Sequence, residues 1–534
     1  MFFQFRLEKI AAICLWFQFY LIGQDNYPRQ PHLDVVQYKF ALSFHDYTNT
    51  IEGDAVIHIR IMEKNQRVML DLTNQKSNGK GMKILNAKTD PYESVYIHEN
   101  DQIIFHFNED IQVGTYISIY IQYSGEPADG LIIDKNKFGD RTFFGDNWPN
   151  RARNWLPCID HPYDKSAVHF AITAPLHYKV IANGTLREES DLLNGYKLTH
   201  WEENTPIPTK VMVVGAARFA VERSGWIYGI PVESWVYPQN KAEGFYDYAL
   251  AVSILPFFIE KVGPYSYTKL ANVQSKTRYG GMENAGNIFY YENSVTGNRS
   301  IESLIAHEIA HQWFGNSASE ADWYHIWLSE GFATYLTELY MEHKYGRGML
   351  VEGMLKTRQT VLNYSRNSSA SVIPSSINDL NELLNPNSYQ KGAWILHMLR
   401  KEMGDLDFWL AIRTYYRDFQ NSNAWTKDFI AVCNRISGQD LTWFFDQWLQ
   451  FPGHPQITIR MNLKDSLTQF TVEQLQEPVF QFELEGEAIG KDGKIHKFRI
   501  PVKERITEFT LENMSLVGSV NWDPNVWLLF ERVN

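Results

Sequence analysis

Residues 301–340 read IESLIAHEIAHQWFGNSASEADWYHIWLSEGFATYLTELY, and apolar residues recur through them with the spacing of an α-helix. His307, Glu308 and His311 form the pattern HExxH in the first half of this stretch. Because residues four apart lie on one face of a helix, about one turn from each other, both imidazoles can bind the same ion. The isoleucines of the same segment fall on the opposite side, so we expect them to pack into the core while the histidines line a cleft.

Glu330 is the candidate for a third metal ligand. A catalytic zinc ion usually has three protein ligands and one open coordination position. Glu330 follows His311 by 19 positions, at the start of a second amphipathic helix, so a helical hairpin can bring it to the ion. Glu308 lies beside the histidine face, where its carboxylate can take a proton from a metal-bound water. The pattern predicts one Zn²⁺ per chain, bound by His307, His311 and Glu330, with Glu308 as the general base of a metallopeptidase.

The pattern on either side of this stretch indicates a multidomain α+β protein. From about residue 33 to 215, apolar and polar residues alternate as in strands, and the runs 179–182 and 210–214 are typical of short strands. From about 240 to 450 the period is that of helices, and after Pro455 the alternation returns. We therefore expect an N-terminal β-sheet domain, a mainly α domain and a small C-terminal β-sandwich. The longest helices are predicted at 246–262, 300–315, 330–345 and 392–403.

Composition excludes some classes of function. The 534 residues include 50 basic and 62 acidic ones, for a formal net charge of -12, and we find no basic run that would neutralise a phosphate backbone. Nucleic acid is therefore not an expected partner. Cys14 lies in an apolar N-terminal segment, and Cys158 and Cys433 alone are too few for a disulfide framework.

Residues 1–23 are typical of a signal peptide. Arg6 and Lys9 precede an apolar run of 14 residues, shorter than the roughly 20 residues that span the hydrocarbon core of a bilayer. We expect export to the periplasm or the cell exterior, with cleavage near Gly23 and no membrane span in the mature chain. If the segment is not cleaved, it would serve as a membrane anchor, and a buried N-terminal helix is the structural alternative.

Further motifs resemble one known family. The HExxH pattern with its later glutamate, preceded by GGMEN at 280–284, resembles the M1 family of zinc aminopeptidases, the gluzincins that include leukotriene A4 hydrolase. The likeness extends over nearly all of the mature chain, through WLPCID at 155–160, YQKGA at 389–393 and WFFDQW at 443–448. With the patterns above, it implies a signal peptide (1–23), an N-terminal β-rich domain (24–215), a thermolysin-like zinc peptidase catalytic domain (216–452) and a C-terminal β-sandwich (453–534).

The resemblance also implies a substrate-binding motif at 280–284. In that family the glutamate that matches Glu283 binds the free α-amine of the peptide, which restricts cleavage to the first peptide bond. Gly280 and Gly281 are expected against the substrate main chain, because glycine permits close approach, with Met282 and Asn284 in the same motif. By position alone, Glu283 is equally consistent with a surface loop.

Tyr389 is the second residue whose role rests on the resemblance. It matches the family tyrosine whose hydroxyl donates a hydrogen bond to the oxyanion of the tetrahedral intermediate. Without the resemblance, a tyrosine at this position would be read as part of the core.

Two departures from the family pattern concern the cleft. Many relatives have an acidic or amide residue nine positions before Pro157, as a second contact to the amine, whereas this register gives Trp148. Asp146 or Asn147 can substitute, or the contact is absent. The relatives also continue into a helical domain that covers the cleft, whereas this chain ends about eighty residues after Pro455, so we expect a more open cleft.

The sequence thus predicts a zinc-dependent aminopeptidase that acts on peptides with a free N-terminus. A zinc endopeptidase and a bifunctional epoxide hydrolase and aminopeptidase are the alternatives within the enzyme class. A zinc-binding scaffold without catalysis would be expected to lack Glu308, Glu283 or Tyr389, and all three are present.

Overall fold

The structure is a computed structural model that describes residues 23–464, 467–491, 493–511 and 516–533. Of the predicted signal peptide, only Gly23 lies among these residues, so cleavage and export stay predictions. Along the described part of the chain, a β-rich region, an α-rich region and a second β region follow one another. At this coarse level the expected order of β, α and β is confirmed.

The N-terminal region consists of long strands whose apolar residues alternate with polar ones. Its strands are β1 (Leu33–Ser43), β2 (Ile51–Ile61), β3 (Asn65–Asp71), β4 (Gly81–Asp90), β5 (Ser94–Glu99), β6 (Gln102–Ile111), β7 (Tyr116–Glu126), β8 (Leu131–Lys135), β9 (Arg141–Gly145), β10 (Ser166–Pro175), β11 (Lys179–Ala182), β12 (Thr185–Asp191), β13 (Tyr196–Ile207) and β14 (Val214–Ala217). Within the described residues they form three sheets, with the strand orders β12-β13-β10-β1-β2-β7-β4, β11-β14-β9-β8 and β3-β6-β5. Ile57, Ile59 and Ile61 of β2 are all buried, as their spacing predicts, and lie in one hydrophobic core with residues of the other sheets.

The α-rich region contains the HExxH helix and also a sheet. Its helices are α1 (Lys241–Tyr248), α2 (Ala251–Lys261), α3 (Glu302–His311), α4 (Trp327–Tyr345), α5 (Arg347–Ser365), α6 (Gly392–Met403), α7 (Asp405–Phe419), α8 (Thr426–Ser437) and α9 (Thr442–Gln450). Its strands are β15 (Ala220–Ile227), β16 (Ile230–Val236), β17 (Leu270–Ser275), β18 (Gly281–Met282), β19 (Asn287–Tyr291), β20 (Ala318–Glu320) and β21 (Ser422–Ala424). A mixed sheet in the order β15-β16-β17-β19-β18 packs beside the helices, and α3 contacts its edge strand β18.

The C-terminal region consists of two facing sheets. Its strands are β22 (Gln456–Lys464), β23 (Leu467–Gln474), β24 (Phe482–Gly490), β25 (Ile495–Val502), β26 (Ile506–Leu511), β27 (Leu516–Trp522) and β28 (Glu531–Arg532). They pair as β26-β23-β22-β28 and β25-β24-β27 within the described residues. The rings of Phe470 and Phe498, one from each sheet, stack with centroids 5.2 Å apart, as expected for a sandwich core.

Three local features differ from the sequence prediction. The run 210–214, expected as a strand, begins with a 3-10 turn at Thr209–Val211, because Lys210 points inward to a buried acidic partner. The helix expected over 246–262 is instead two helices, α1 and α2, separated by two residues. The sheet beside the helices was not predicted, since β17 is buried along its whole length and shows no alternation of apolar and polar residues.

Two lysines of the N-terminal region bind the segment that follows the HExxH helix. Lys210 forms an ion pair with Glu320 of β20, and the side chains are only 1% and 0% exposed. Lys165 donates hydrogen bonds to the backbone carbonyls of Asn316, Ser317 and Ser422, at 3.0, 2.6 and 3.1 Å. These contacts fix the connection between α3 and α4, and both helices carry predicted metal ligands.

One segment of the described residues, Pro238–Lys261, is long and apolar enough to cross a membrane by length and composition, with 24 residues and a mean hydropathy of 1.2. The sequence analysis did not identify it. It is weak evidence for a span, because 56% of its apolar window is buried inside the protein and Ile254 and Phe258 lie in the core.

The Lys210–Glu320 pair generates a prediction about stability. Glu320→Gln leaves the Lys210 ammonium buried without a charged partner, so we expect the free energy of unfolding to fall by about 3–5 kcal/mol. Denaturant titration of the full chain, followed by tryptophan fluorescence, measures this change. The double variant Lys210→Met with Glu320→Gln is expected to recover part of the loss, since neither charge remains. A double variant that is no more stable than Glu320→Gln alone would contradict the proposed origin of the loss.

Candidate active site and metal centre

Helix α3 carries the HExxH residues on the edge of a cleft. Glu302 lies in its first turn, where a carboxylate is favoured by the helix dipole, and the helix ends at His311. Ile305 and Ile309 are fully buried in the core, as the spacing predicts. The opposite face therefore presents both histidines to the cleft, on a helix that is packed along its length.

The three predicted metal ligands converge. His311 Nε2 lies 3.2 Å from Glu330 Oε2, and His307 Nε2 lies 3.6 Å from the same oxygen. The two imidazole Nε2 atoms are 3.1 Å apart. Two nitrogens and one carboxylate oxygen within such distances form the donor set that catalytic zinc sites use.

Backbone and hydroxyl contacts orient the His311 ring. His311 Nδ1 lies 3.1 Å from the Phe314 carbonyl oxygen and 3.1 Å from Ser329 Oγ. An N–H at Nδ1 can donate to the carbonyl, which leaves Nε2, on the side of Glu330, to bind a metal ion. Such contacts to the second ring nitrogen are typical of metal-binding histidines, because they fix the ring and its tautomer.

The electrostatics of the cluster favour a bound cation. Glu283, Glu308 and Glu330 are all buried around His311. Burial raises the pKa of Glu308 far above its usual value, and although the charge of His311 opposes this, Glu283 and Glu330 reinforce it. Burial lowers the pKa of His311, but the charges of Glu330 and Glu283 outweigh it and raise that pKa to about 10. Without a cation the cluster therefore takes up protons, and its donors fit a zinc ion, which would supply the missing positive charge.

The loop at 280–284 lies against the HExxH helix. A Cβ atom on Gly281 would lie only 2.3 Å from Glu308 Oε1, so residue 281 must be a glycine for the carboxylate to keep its position. Gly281, Met282 and Glu283 line the cleft. Gly280 is exposed beside them, and Asn284 is buried behind them, with no hydrogen-bond partner for its side-chain amide among the described residues. Substrate contacts of Gly280 and Asn284 stay predictions.

Two amide side chains bind this loop to the helix region that carries the metal ligands. Gln312 Nε2 donates to the Glu283 carbonyl oxygen at 2.8 Å, and Gln312 Oε1 accepts from the Gly286 backbone N–H at 2.9 Å. Asn316 Nδ2 donates to the same Glu283 carbonyl at 2.5 Å. The backbone of Glu283 is therefore held at a fixed place relative to His311, the residue that precedes Gln312.

Tyr389 lies across the cleft from the loop. It belongs to a turn of π-helix, Asn387–Lys391, that leads into α6, and its ring centroid is 6.1 Å from that of His307. Helices α4 and α6 approach each other closely at Gly331 and Gly392. A Cβ atom on Gly331 would lie only 2.9 Å from the Gly392 Cα, so glycine permits this approach. Burial, followed by the charges of Glu330 and Glu283, raises the pKa of Tyr389 well above its usual value. The hydroxyl therefore remains protonated and can donate a hydrogen bond.

The three residues considered for a second amine contact have different environments. Asn147 Nδ2 donates to the backbone carbonyls of Thr209 and Met212, and its Oδ1 accepts from Trp155 Nε1 at 2.9 Å. Asp146 forms an ion pair with Arg151 at 2.9 Å. Both side chains are fully buried, and only Trp148 of the three lines the cleft.

The cleft is small, with about 60 Å³ of space for the centres of water-sized molecules. Apolar and aromatic side chains line the cleft together with the charged cluster. The lining residues are Trp148, Tyr279, Gly281, Met282, Glu283, His307, Glu308, His311, Glu330, Leu384 and Tyr389. Sequence reasoning missed Tyr279 and Leu384, and it also missed the loop-binding amides Gln312 and Asn316. Gln312 directly follows HExxH, which was a usable signal, whereas its partner lies 29 positions away in sequence.

Comparisons with known proteins match the chain to one peptidase family. The family model "Peptidase M1 N-terminal domain" matches residues 35–211, and the model "Peptidase family M1 domain" matches residues 246–448. The two matches together cover most of the chain, and the second includes the predicted metal ligands and Tyr389.

Several curated proteins are similar to this chain. Aminopeptidase M1-A of Oryza sativa subsp. japonica is 26% identical over 404 residues, which are 71% of this chain and 46% of that protein. Leucyl aminopeptidase of Saccharolobus solfataricus is 24% identical over 452 residues, 81% of this chain and 55% of that protein. Glutamyl aminopeptidase of Rattus norvegicus is 25% identical over 350 residues, 62% of this chain and 37% of that protein. The chain thus spans about half the length of the curated relatives it matches.

Proposed function

Because the chain belongs to peptidase family M1, we propose that it is a zinc-dependent aminopeptidase, which hydrolyses the first peptide bond of peptides with a free N-terminus. The observation that carries the proposal is the position of Glu283, whose carboxylate shares one buried cluster with Glu308 and His311. A carboxylate at this place offers a binding site for an ammonium group directly beside the metal ligands.

His307, His311 and Glu330 would hold the zinc ion. When bound, the ion would supply Lewis acidity, which polarises the scissile carbonyl and makes a water molecule more acidic. The three ligands belong to α3 and α4, which pack against each other, so the donor set is part of a rigid unit.

Glu308 is proposed as the general base and then the general acid. Its carboxylate lies beside the ligands without being one of them, and Gly281 leaves room for it. It can take the proton of the attacking water and pass that proton to the leaving amine. The hydroxyl of Tyr389, protonated at neutral pH, would donate to the oxyanion as it forms, a contact that is stronger in the transition state than in the ground state.

Glu283 is proposed to accept hydrogen bonds from the α-ammonium group of the substrate. Its Oε1 atom is buried and has no hydrogen-bond partner in the described part of the chain, so it is available to a ligand. The charge-assisted contact would fix the first peptide bond over the metal site, and a blocked amine cannot make it.

A comparison of two substrates tests the proposal. We expect leucine p-nitroanilide to be hydrolysed at least about 100-fold faster, in kcat/KM, than its N-acetylated form, because acetylation removes the ammonium that Glu283 binds. Glu283→Gln is expected to lower kcat/KM for the free amine by about 10- to 100-fold and to leave the blocked compound unaffected. Equal hydrolysis of both compounds by the native enzyme would instead indicate an endopeptidase.

The role of Glu308 leads to a second prediction. Glu308→Gln is expected to retain one zinc ion per chain but to lose about 100- to 10,000-fold in kcat, because the ligands remain and the proton acceptor is gone. Elemental analysis and single-substrate kinetics measure the two quantities. Glu302→Gln, a change of the same type on the same helix, serves as the control and should keep kcat within about twofold, because Glu302 contacts Tyr340, Lys344 and Tyr345 and does not line the cleft. Activity close to the native value in Glu308→Gln would contradict the mechanism.

Gln312 is proposed as a positioning residue. Gln312→Leu removes both hydrogen bonds to the loop, so we expect KM for leucine p-nitroanilide to rise by about tenfold, roughly the free energy of one or two hydrogen bonds, with a smaller change in kcat. The matched control is Gln447→Leu. Gln447 makes the same two-way contact to a backbone, with Gln481 N–H and carbonyl at 2.8 Å each, but far from the cleft.

A general loss of stability would affect both glutamine variants alike. Only the displacement of Glu283 would raise KM and, at the same time, lower the preference for free over acetylated amines. If Gln312→Leu and Gln447→Leu have the same KM and the same preference, Gln312 does not position the loop.

The proposal also includes peptides as the substrates and export of the enzyme to the periplasm or the cell exterior. The names of the relatives point to different first residues, leucine in one and glutamate in another. The walls of the cleft are formed by Trp148, Tyr279, Met282 and Leu384, which favour a large apolar first residue over an acidic one.

A further inference from the structure

A second group of side chains of the types that bind metals lies on the outer face of the seven-stranded sheet. His169 of β10 is the direct cross-strand partner of Glu202 of β13. His200 precedes Glu202 by two positions on β13, so all three side chains project from the same face. Their clustering is therefore set by strand register and does not depend on the conformation of a loop.

The distances within the group suit one divalent ion. His169 Nδ1 lies 3.8 Å from Glu202 Oε1, and His200 Nε2 lies 3.7 Å from the same oxygen. The three atoms all lie within 4.8 Å of one another. Two imidazole nitrogens and one carboxylate oxygen suit zinc and its neighbours among the transition metals better than calcium or magnesium, which prefer oxygen ligands alone.

Neighbouring side chains orient two of these donors. Arg187 Nε donates to Glu202 Oε2 at 2.8 Å, which leaves Oε1 facing the imidazoles. His169 Nε2 lies 3.2 Å from Asn204 Oδ1 and 3.1 Å from Gln37 Nε2, so this nitrogen is engaged and Nδ1 is left for the group. Metal-binding residues regularly make such hydrogen bonds through the side-chain atoms that do not bind the metal.

The charges around the group are balanced. Arg187 and Lys39, the cross-strand partner of His169, are positive, while Glu202 and Glu188, the cross-strand partner of His200, are negative. Burial lowers the pKa of His169, partly opposed by its hydrogen bond to Asn204, so the ring is neutral and able to bind a metal at neutral pH. The side chains of His169, His200 and Glu202 are 14%, 29% and 24% exposed, which leaves a path for an ion from solvent.

We propose that His169, His200 and Glu202 form a second site for a divalent transition-metal ion. Zinc is the ion used to test it. The site has three protein ligands and an open position, and it connects β10 to β13 in the N-terminal region. It is independent of the cluster on α3 and α4, so it does not rest on the proposed peptidase activity.

Zinc stoichiometry of the full chain tests the proposal. Protein freed of metal by a chelator is titrated with Zn²⁺ in competition with a chromophoric indicator. We expect the native chain to bind two equivalents and His169→Ala with His200→Ala to bind one, with unchanged hydrolysis of leucine p-nitroanilide. His58→Ala is the matched control, because His58 lies on β2 in the same sheet, bonded to Ser118 at 2.9 Å and outside the group. It should retain both equivalents.

A complementary variant separates the two sites. His307→Ala with His311→Ala removes the ligands on α3, so the single remaining equivalent should belong to the outer site, and adding His169→Ala should weaken it at least tenfold. A single equivalent in the native chain that is lost in His307→Ala with His311→Ala, or two equivalents in His169→Ala with His200→Ala, would overturn the proposal. Absence of peptidase activity with the outer equivalent intact would refute the proposed function and leave the second site in place.

Discussion

The concentration of buried negative charge in the cleft is the constraint on which the site depends. Glu283, Glu308 and Glu330 come from three segments of the chain and meet around two imidazoles with little access to water. Like charges at such distances destabilise one another unless cations compensate them. A metal ion at one end of the cluster and a substrate ammonium at the other would supply that compensation, so the chemistry of the ligands follows from the electrostatics of the protein.

The backbone is arranged to keep these carboxylates together. Helix α3 supplies two metal ligands and Glu308, and the amide of Gln312, directly after the helix, binds the loop that carries Glu283. Gly281 allows that loop to touch the Glu308 carboxylate, which a larger residue would displace. The distance between the proposed metal ligands and the Glu283 carboxylate is therefore set within one packed unit, although the residues are far apart in sequence.

Sequence reasoning succeeded where the determining interactions are local. Helix α6 has the predicted bounds, β11 matches the run 179–182, and the HExxH spacing placed two imidazoles on one helical face. It failed where a distant partner decides the structure. Lys210 points inward because it forms an ion pair with Glu320, which lies 110 positions later in the sequence. Strand β17 shows no alternation of apolar and polar residues because protein covers both of its faces. The amides that hold the loop at Glu283 were missed for the same reason, since Gln312 and Asn316 follow the helix and no periodicity reveals their distant partner.

The tryptophan at position 148 bears on how the cleft would recognise an amine. The resemblance suggested a polar second contact there, but Trp148 packs edge-on against Tyr279 and Trp323, with centroids 5.9 and 5.7 Å away, and forms a rigid apolar wall. An apolar wall cannot share the charge of an ammonium group, but it would exclude water and lower the local dielectric constant, which would strengthen the proposed attraction between the ammonium and Glu283. Recognition would then rest on one well-placed carboxylate instead of two, and the hydrogen bonds that fix its backbone matter correspondingly more.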